Sequence, residues 1–537
     1  MPWQSRIHGG PSLMKYLAGL FILVTLLACQ SGTSRATPLA LTFLPPATAM
    51  PAPGARVVFQ AETTGGAGPV RIQWLLNGVP LAGASAPTLA IDPVSYGNNG
   101  TYQVKVEDDQ TSLFGPPFTL EPVDHAWQVT SPGDHGPGTL RDVLAETSVF
   151  TGLAGIQFAI PGAGPLTLAV HSDLAPITQQ VCILGPDDRP LSLDAGGQHR
   201  PFFVARGRLI LDNFTVAHGL ARGGEALGGG GGAAGMGGAI FVNAGSADLR
   251  RMTFTGNVAQ GGSSTIGGDG ENGGGGGFGG DSPSAGGGGG EAGFLLGAPG
   301  TGLLDGSGAA GGTALGDGAG GGAARGGLLS VALANWSDNL PGGPGGWGAG
   351  GGFSVGPLGG GGDAGTFGGG GGGSGGVVTL ADGSRTTFPG SAGGQGGVFG
   401  GEGGIGDGVT GGRGGGGAGC GGAVFVRAGS LVMTQCTFTG NSALPGQGQT
   451  QDGMGAGLGK GGAVFIYAYA ADSPFDLRML QGQQYAGNSA PDAAVEDAAF
   501  DNANWYVAQD LLADVAGSAF TERYRAYRRA KAAAKQP

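Results

Sequence analysis

The chain has 537 residues, 125 of them glycine, against an ordinary share of about 7%. A hydrophobic content of 40% leaves material for a packed core outside the glycine-rich stretches. The formal net charge of −12, with no lysine between Lys105 and Lys460, speaks against nucleic acid as a partner, because phosphate recognition needs clustered Lys and Arg.

At the N-terminus Lys15 precedes LAGLFILVTLLA (17–28), a run too short to span a bilayer but of the length of a signal-peptide core. Met14 is the more natural start, which makes 1–13 an upstream extension. Leu26-Leu27-Ala28-Cys29 resembles the lipobox of bacterial lipoproteins. That resemblance implies cleavage that leaves Cys29 as a lipidated N-terminus, anchored in a membrane by several acyl chains. Gln30, standing where Asp would retain the protein in the inner membrane, implies the outer membrane or cell surface. Residues 1–29 are thus assigned to a signal peptide and 30–52, rich in Thr, Pro and Ala, to a tether. The other cysteines, Cys182, Cys420 and Cys436, are odd in number and match no zinc spacing.

RVVFQAE, IQWLLNG, PTLAIDPV and GTYQVKVED then follow with turn residues between them, which predicts short strands of a β-sandwich. The stretch 53–121 resembles an immunoglobulin-like domain, with Trp74 as the buried tryptophan and Tyr102 as the corner tyrosine. Ala61 and Val104 stand where that family has its cysteines. The resemblance implies a spacer or a glycan- or protein-binding module.

From 125 the pattern changes. GPGTLRDVLAE (136–146) predicts a helix with Thr139 as N-cap and Asp142 completing a capping-box-like start. IQFAIPG, PLTLAV, VCILGP, LSLDAGG and FFVARGRLILDNFTV predict strands. Three units share one template: MGGAIFVNAGSADLRRMTFTGNVA (236–259), CGGAVFVRAGSLVMTQCTFTGNSA (420–443), and KGGAVFIYAYA (460–470) with QQYAGNSA (483–490). Each runs Gly-Gly-Ala, strand, turn, strand, Gly-Asn-x-Ala. Such a unit cannot bury its apolar face alone, whereas stacked copies can. Asn257, Asn441 and Asn488 recur at one corner, where amides can hydrogen-bond from coil to coil and Asn tolerates a left-handed backbone.

These segments resemble right-handed parallel β-helix proteins of bacterial surfaces, of the polymorphic outer-membrane-protein and adhesin-like type. The resemblance covers 125–260 and 415–490 and implies the fold more specifically than any activity, since β-helices include adhesins, polysaccharide lyases and glycosidases. A long glycine-rich insertion, 261–419, separates the first part (125–260) from the second (420–490), and 491–537 forms a cap with a basic tail, TERYRAYRRAKAAAK. Every Gly-Asn-x-Ala phrase is followed by a glycine run, so the insertion reads as one enlarged corner loop. It is either flexible, because ordering glycine is costly, or a bundle of extended glycine helices, for which Gly-Gly-x triplets such as GGQGGVFGGEGGIG (393–406) are suited. GGSGG around Ser374 lacks the strand–turn–helix of a nucleophile elbow. GMGAGLGKGG (453–462) breaks the phosphate-loop pattern at Met454 and Gly461, and GGDGENGGG (267–275) is unrepeated.

No catalytic centre, cofactor motif or metal site is legible. Asp187, Asp188, Asp194, Arg200, Arg206, Arg208 and Asp212 are the densest charged group and the candidates for a carbohydrate site. Solvated turns explain the aspartates equally well. The expectation is an all-β chain: an immunoglobulin-like sandwich, then a right-handed parallel β-helix with the glycine-rich insertion. Its expected role is non-catalytic, adhesion to a polysaccharide or surface protein from a lipid anchor. The alternatives are a β-helix lyase or glycosidase, and a structural envelope protein.

Overall fold

The computed structural model describes residues 37–226, 228–264, 275–276, 344–345, 347–353, 361–364, 367–379, 385–388, 390, 392–407, 411–448, 455–467, 477–493 and 501–508. The apolar run 17–28, Cys29, the nonapeptide-like stretch up to residue 274 and the basic tail lie outside the described residues. The chain divides into two compact units, one drawing on residues up to 45 with 58–89 and 101–118, the other on 46–57, 90–100 and everything from 119 on.

The first unit is antiparallel. Val57–Thr64 pairs with Ala40–Leu44, and Arg71–Leu76 pairs with Gly100–Glu107, Trp74 lying opposite Val104. Ala40–Leu44 falls in the stretch expected to be a tether, so the sheet begins earlier than the turn signals indicated. Phe59, Trp74, Tyr102 and Val104 are fully buried or nearly so, with Phe59 4.8 Å from the Tyr102 ring and 5.9 Å from Trp74. The buried indole donates to the Ala86 carbonyl at 2.9 Å, which removes the penalty of an unpaired N–H. Ala61 and Val104 are apolar core residues where a disulfide was absent from the sequence.

The second unit is a set of parallel sheets visited repeatedly in one order. Sheet I holds His125–Val129, Leu153–Phe158, Gln180–Leu184, Arg208–Asp212, Ser246–Arg250 and Ser430–Thr434. Sheet II holds Leu166–Ala169, Leu191–Asp194, Thr215–Ala217, Thr253–Thr255, Thr437–Thr439 and Gln484–Ala486. Sheet III holds Leu220–Arg222, Val258–Gln260 and Ser442–Leu444, and sheet IV Gly235–Met236, Gly419–Cys420 and Gly459–Lys460. Sheet V holds Phe202–Val204, Ile240–Val242, Val424–Val426, Val464–Ile466 and Trp505–Val507. From Phe202 the chain passes V, I, II, III, IV and begins again at Ile240. In the last pass Leu477–Gln481, a short helix, stands where a sheet I strand would be. At the other end the helix Leu140–Thr147 seats Leu140, Val143 and Leu144 on the core. Its cap is reciprocal: Thr139 Oγ1 accepts from the Asp142 amide, and Asp142 Oδ2 from the Gly138 amide at 2.9 Å.

The corners explain the repeated phrase. Gly237, Gly421 and Gly461 have φ of 65°, 65° and 61°, a left-handed conformation that costs glycine little. The second glycine has no room for a side chain: a Cβ on Gly422 would lie 2.0 Å from the Gly462 carbonyl oxygen. The third residue, Ala239, Ala423 or Ala463, is wholly buried. At the corner after sheet II the left-handed residue is Gly256, Gly440 or Gly487, not the asparagine beside it. His218 takes that place at φ 51° in the earlier pass.

The asparagines form a hydrogen-bonded series. Asn257 Nδ2 donates to Asn441 Oδ1 at 2.8 Å, Asn441 Nδ2 to Asn488 Oδ1 at 2.9 Å, and Asn488 Nδ2 to Asn504 Oδ1 at 3.1 Å. Each Nδ2 also donates to a backbone carbonyl, of Val216, Phe254 and Phe438 in turn. Both amide protons and the oxygen of Asn441 are therefore satisfied in a buried site.

Sheet V is buried on both faces. Ile240 and Val242 face one cluster with Phe254 and Phe438. Phe241 faces a second, outer cluster with Phe203, Phe425 and Phe465. Burial on both sides is why these strands read as unbroken apolar triplets rather than alternating ones. Trp347, Phe367 and Phe399, from the glycine-rich insertion, complete the outer cluster. Trp347 stacks on Phe367 at 5.2 Å, and Phe399 packs edge-on against Phe465 and Tyr506 at 5.7 and 5.2 Å.

Apart from one antiparallel pair, Gly376–Thr379 with Arg385–Phe388, the described part of the insertion is a packed glycine bundle, which decides between the two expectations for those residues. Gly415, Gly416 and Gly417 donate to Gly371, Gly455 and Gly262 and accept from Gly232, Gly401 and Gly446, all at 2.7–2.9 Å. One segment thus bonds to six others, each residue facing a new direction. Gly370 and Gly373 both donate into the segment 229–232. Three residues per turn without internal hydrogen bonds is the geometry of an extended polyproline-II-type helix. A Cβ on Gly415 would stand 2.0 Å from the Gly401 oxygen and one on Gly417 1.8 Å from the Ala233 oxygen, so close packing requires glycine there. Each hydrogen bond contributes about 0.5–1.5 kcal/mol net, against ~1–2 kcal/mol to order each backbone residue. The aromatic anchors on sheet V therefore decide whether the bundle holds.

Two outcomes are expected. Asn441→Ala orphans the Asn257 amide and carboxamide donors, at ~1–3 kcal/mol per donor. A loss near 3 kcal/mol in denaturant unfolding is expected, and a loss under 1 kcal/mol would show the amide series to be dispensable. Gly415→Ala should cost about 1–3 kcal/mol by overpacking. It should also speed hydrogen exchange at 400–406 and 445–448 while the Asn257–Asn441 amides stay protected; unaltered exchange would disprove the close packing.

Candidate functional site

The structure separates the seven charged residues singled out from the sequence. Asp187 and Asp188 lie exposed in a bend after Gln180–Leu184, where Asp187 Oδ1 accepts from Asn213 Nδ2 at 3.1 Å. Asp194 ends a sheet II strand and meets His218 Nδ1 at 3.0 Å. Burial opposes its ionisation, but the Gly196 amide and His218 outweigh that and hold its carboxyl below the ordinary value. Asp212 is buried, with Arg251 Nε 2.7 Å away. Arg200 donates to the Gly237 carbonyl at 3.0 Å and lies over the Phe241 ring. Asp187, Asp194, Arg200 and Asp212 tie neighbouring passes together, and none of the five lines either groove described below.

Arg206 and Arg208 do come together, at the corner between sheets V and I. Four successive turns there form a groove of about 560 Å³ lined by 148–151, 178–180, 206–208 and 245–246. Its polar lining includes Thr151, Thr178, Gln180, Arg206 and Ser246, and Phe150 and Val149 supply an apolar edge. Gly207 and Gly245 supply backbone without side chains. A Cβ on Gly207 would fall 2.2 Å from the Gln179 oxygen and one on Gly245 2.3 Å from the Gly207 oxygen. The turns can stack this closely only because both are glycine.

The two arginines differ in electrostatic state. Arg208 is held by both oxygens of Glu121, with Nη2 to Oε2 at 3.1 Å, and lies 3.8 Å from Asp248. The hydrogen-bonded Glu121 carboxylate raises its already high pKa, so Arg208 is a fixed but neutralised cation. Arg206 is exposed and makes no hydrogen bond or ion pair with the described residues. Gln179 is occupied below the surface, donating to Thr147 Oγ1 at 3.0 Å and accepting from the Thr178 amide. No Asp or Glu is among the lining residues. Hydrolysis of a glycoside most commonly uses two facing carboxyl groups, and the lining of this groove supplies neither.

A second groove, of about 550 Å³, lies on the antiparallel unit between Val70–Leu75, Pro80, Ser85, Lys105 and Glu107. Its single carboxylate is paired with Lys105 at 2.6 Å, and Arg71 stands 3.6 Å away. Burial pushes the thiols of Cys182, Cys420 and Cys436 up, that of Cys436 to about 11, which suits packing and not nucleophilic chemistry. Among the described residues no three His, Cys, Asp or Glu side chains converge as a metal site requires. Ser374 Oγ is buried without a hydrogen-bond partner among glycine backbones.

Sequence reasoning passed over one buried ion pair. Lys460 occupies the sheet IV place filled by Met236 and Cys420 in earlier passes. Its Nζ lies 2.5 Å from Asp501 Oδ2, both residues being under a tenth exposed. The signal available was a lysine where the repeat has apolar residues.

No protein-family model matches the sequence, and no curated protein is significantly similar to it. Among solved structures, the N-terminal four Ig domains of Dscam1 isoform 6.9 match at 29% identity, with a TM-score of 0.15. Those of Dscam1 isoform 7.44 match at 30%, with the same TM-score. Each likeness covers 16% of this chain, which spans 21% of the length of those structures.

Removing one partner of the buried pair leaves the other charge uncompensated, at a cost of about 3–5 kcal/mol. Asp501→Ala should therefore lower stability by that amount in a denaturant titration. Lys460→Met/Asp501→Ala, which restores the apolar side chain of the earlier pass, should recover most of it. A double variant as unstable as the single one would refute this account.

Proposed function

We propose that the chain is an exported, non-catalytic surface protein that binds glycan through the groove at the corner of sheets V and I. In this reading Cys29 carries a lipid anchor at the outer membrane or cell surface. The antiparallel unit is an immunoglobulin-like spacer, and the parallel sheets close into a right-handed β-helix. The repeated order V, I, II, III, IV supports the closed coil, and parallel crossovers are right-handed in nearly all proteins. The observation that carries the binding role is the groove itself. It offers the guanidinium of Arg206, hydroxyls, an amide and one aromatic ring along stacked turns, beside an Arg208 already held by Glu121.

The reading is tested with the detergent-solubilised full-length chain and a panel of microbial and plant polysaccharides. Both retention on each polymer and release of new reducing or unsaturated ends are measured. Retention on at least one polymer without cleavage is expected. Cleavage of any polymer would replace this reading with that of a lyase or glycosidase, and retention on none would leave a protein ligand or a structural role.

A further inference from the structure

We infer that the groove selects carboxylate-bearing glycans, with Arg206 gripping the carboxylate; this rests on the glycan-binding reading above. Gln180, Arg208 and Ser246 are partners in the parallel register of sheet I. Thr178, Arg206 and Ala244 stand two residues before them. Successive turns are spaced by ~4.8 Å, so Gln180, Arg208 and Ser246 form one short rank along the stacking direction, and Thr178 and Arg206 a second that ends at the apolar Ala244. An extended sugar chain lying along them meets a new set of groups at every turn.

Charge decides which sugar chain. Glu121 already occupies the fork of Arg208, and Asp248 is paired with Arg250 at the next turn. Arg206 alone presents an uncompensated guanidinium to the groove. Its planar fork matches a carboxylate in two parallel hydrogen bonds. A neutral sugar leaves that cation without an acceptor of equal strength. Phe150, half-buried and packed edge-on against Trp127, adds apolar surface at the groove's edge. The net charge of −12 repels polyanions at long range, so acidic glycan is not drawn to this protein by general adsorption. Any attraction must be local.

The probes are polygalacturonate, its fully methyl-esterified form, and dextran sulfate, with affinity electrophoresis of the full-length protein as the readout. The free acid should bind about tenfold or more tighter than the ester, the step expected of a charge-assisted contact. Arg206→Gln should bring the free acid down to the level of the ester and leave the ester's binding unchanged. Arg206→Lys, which keeps the charge but loses the fork, should fall between. Arg222→Gln, on sheet III outside the groove, controls for net charge and should change nothing. Because Arg206 is exposed, the melting temperature of its variants should match the parent. Equal binding of acid and ester, equal binding of dextran sulfate and polygalacturonate, or indifference to Arg206→Gln would each overturn the carboxylate selectivity while glycan binding stood. Failure to bind any polymer, acidic or neutral, would remove both ideas together.

Discussion

Backbone hydrogen bonding between neighbouring passes is the constraint on which everything else in the second unit depends. Once Ile240–Val242 lies beside Val424–Val426 in parallel register, every corner must repeat in the same place, since a slip of one residue turns each side chain to the wrong face. The corners therefore carry the specificity. Residues of positive φ stand at four of them: Asn213, Arg251 and Gln435 between sheets I and II, the glycines and His218 after sheet II, the glycines before sheet V, and Gly245 and Gly429 between sheets V and I. The asparagine series fixes the second of these corners with side-chain amides that imitate the backbone ladder. It runs through several passes, buried at Asn257 and Asn441 and part-buried beyond them, and its groups are matched to one another.

The glycine bundle extends the same logic until side chains vanish altogether. In the sheets, backbone groups bond in one plane and side chains fill the space above and below. Around Gly415–Gly417 they bond in six directions, and side chains have no space left. What the bundle lacks is apolar burial, which is why its few aromatic residues matter. Trp347, Phe367 and Phe399 sit on the outer face of sheet V, against phenylalanines that the repeat supplies at the same place in each pass. The repeat thus builds two cores, one among the sheets and one that seats the insertion.

Much of this was legible in the sequence because it is local and repeated. Gly-Gly-Ala and Gly-Asn-x-Ala mark the corners, and Thr139 with Asp142 marks the helix start. What escaped did so for physical reasons. Phe241 and Ile240 look alike in an apolar triplet, and only the structure assigns one to each face of sheet V. A stretch of glycine carries no side-chain periodicity, so its packing is hidden from pattern reading. The partnership of Lys460 with Asp501, 41 residues apart, spans two passes. Arg206 and Arg208 were marked for their charge, yet Phe150, Thr178 and Ser246 join them only through the register of four turns. The aspartates near them in sequence point elsewhere because the intervening strands carry them to other corners.

The corners also differ in how much change they tolerate, and this bears on where a binding site can persist. Between sheets III and IV the chain leaves the ladder after Arg222, Gln260 and Leu444 and rejoins it at Gly235, Gly419 and Gly459, so this corner accepts excursions of very different length. Between sheets V and I three successive turns, 205–207, 243–245 and 427–429, are three residues long, and each ends in a glycine pressed against the turn before it. A corner so tight cannot drift. A guanidinium placed on it keeps its position relative to the hydroxyls of the adjoining turns, whatever length the opposite excursion takes. The groove thus sits where the scaffold is least free, as a site that recognises a repeating polymer requires.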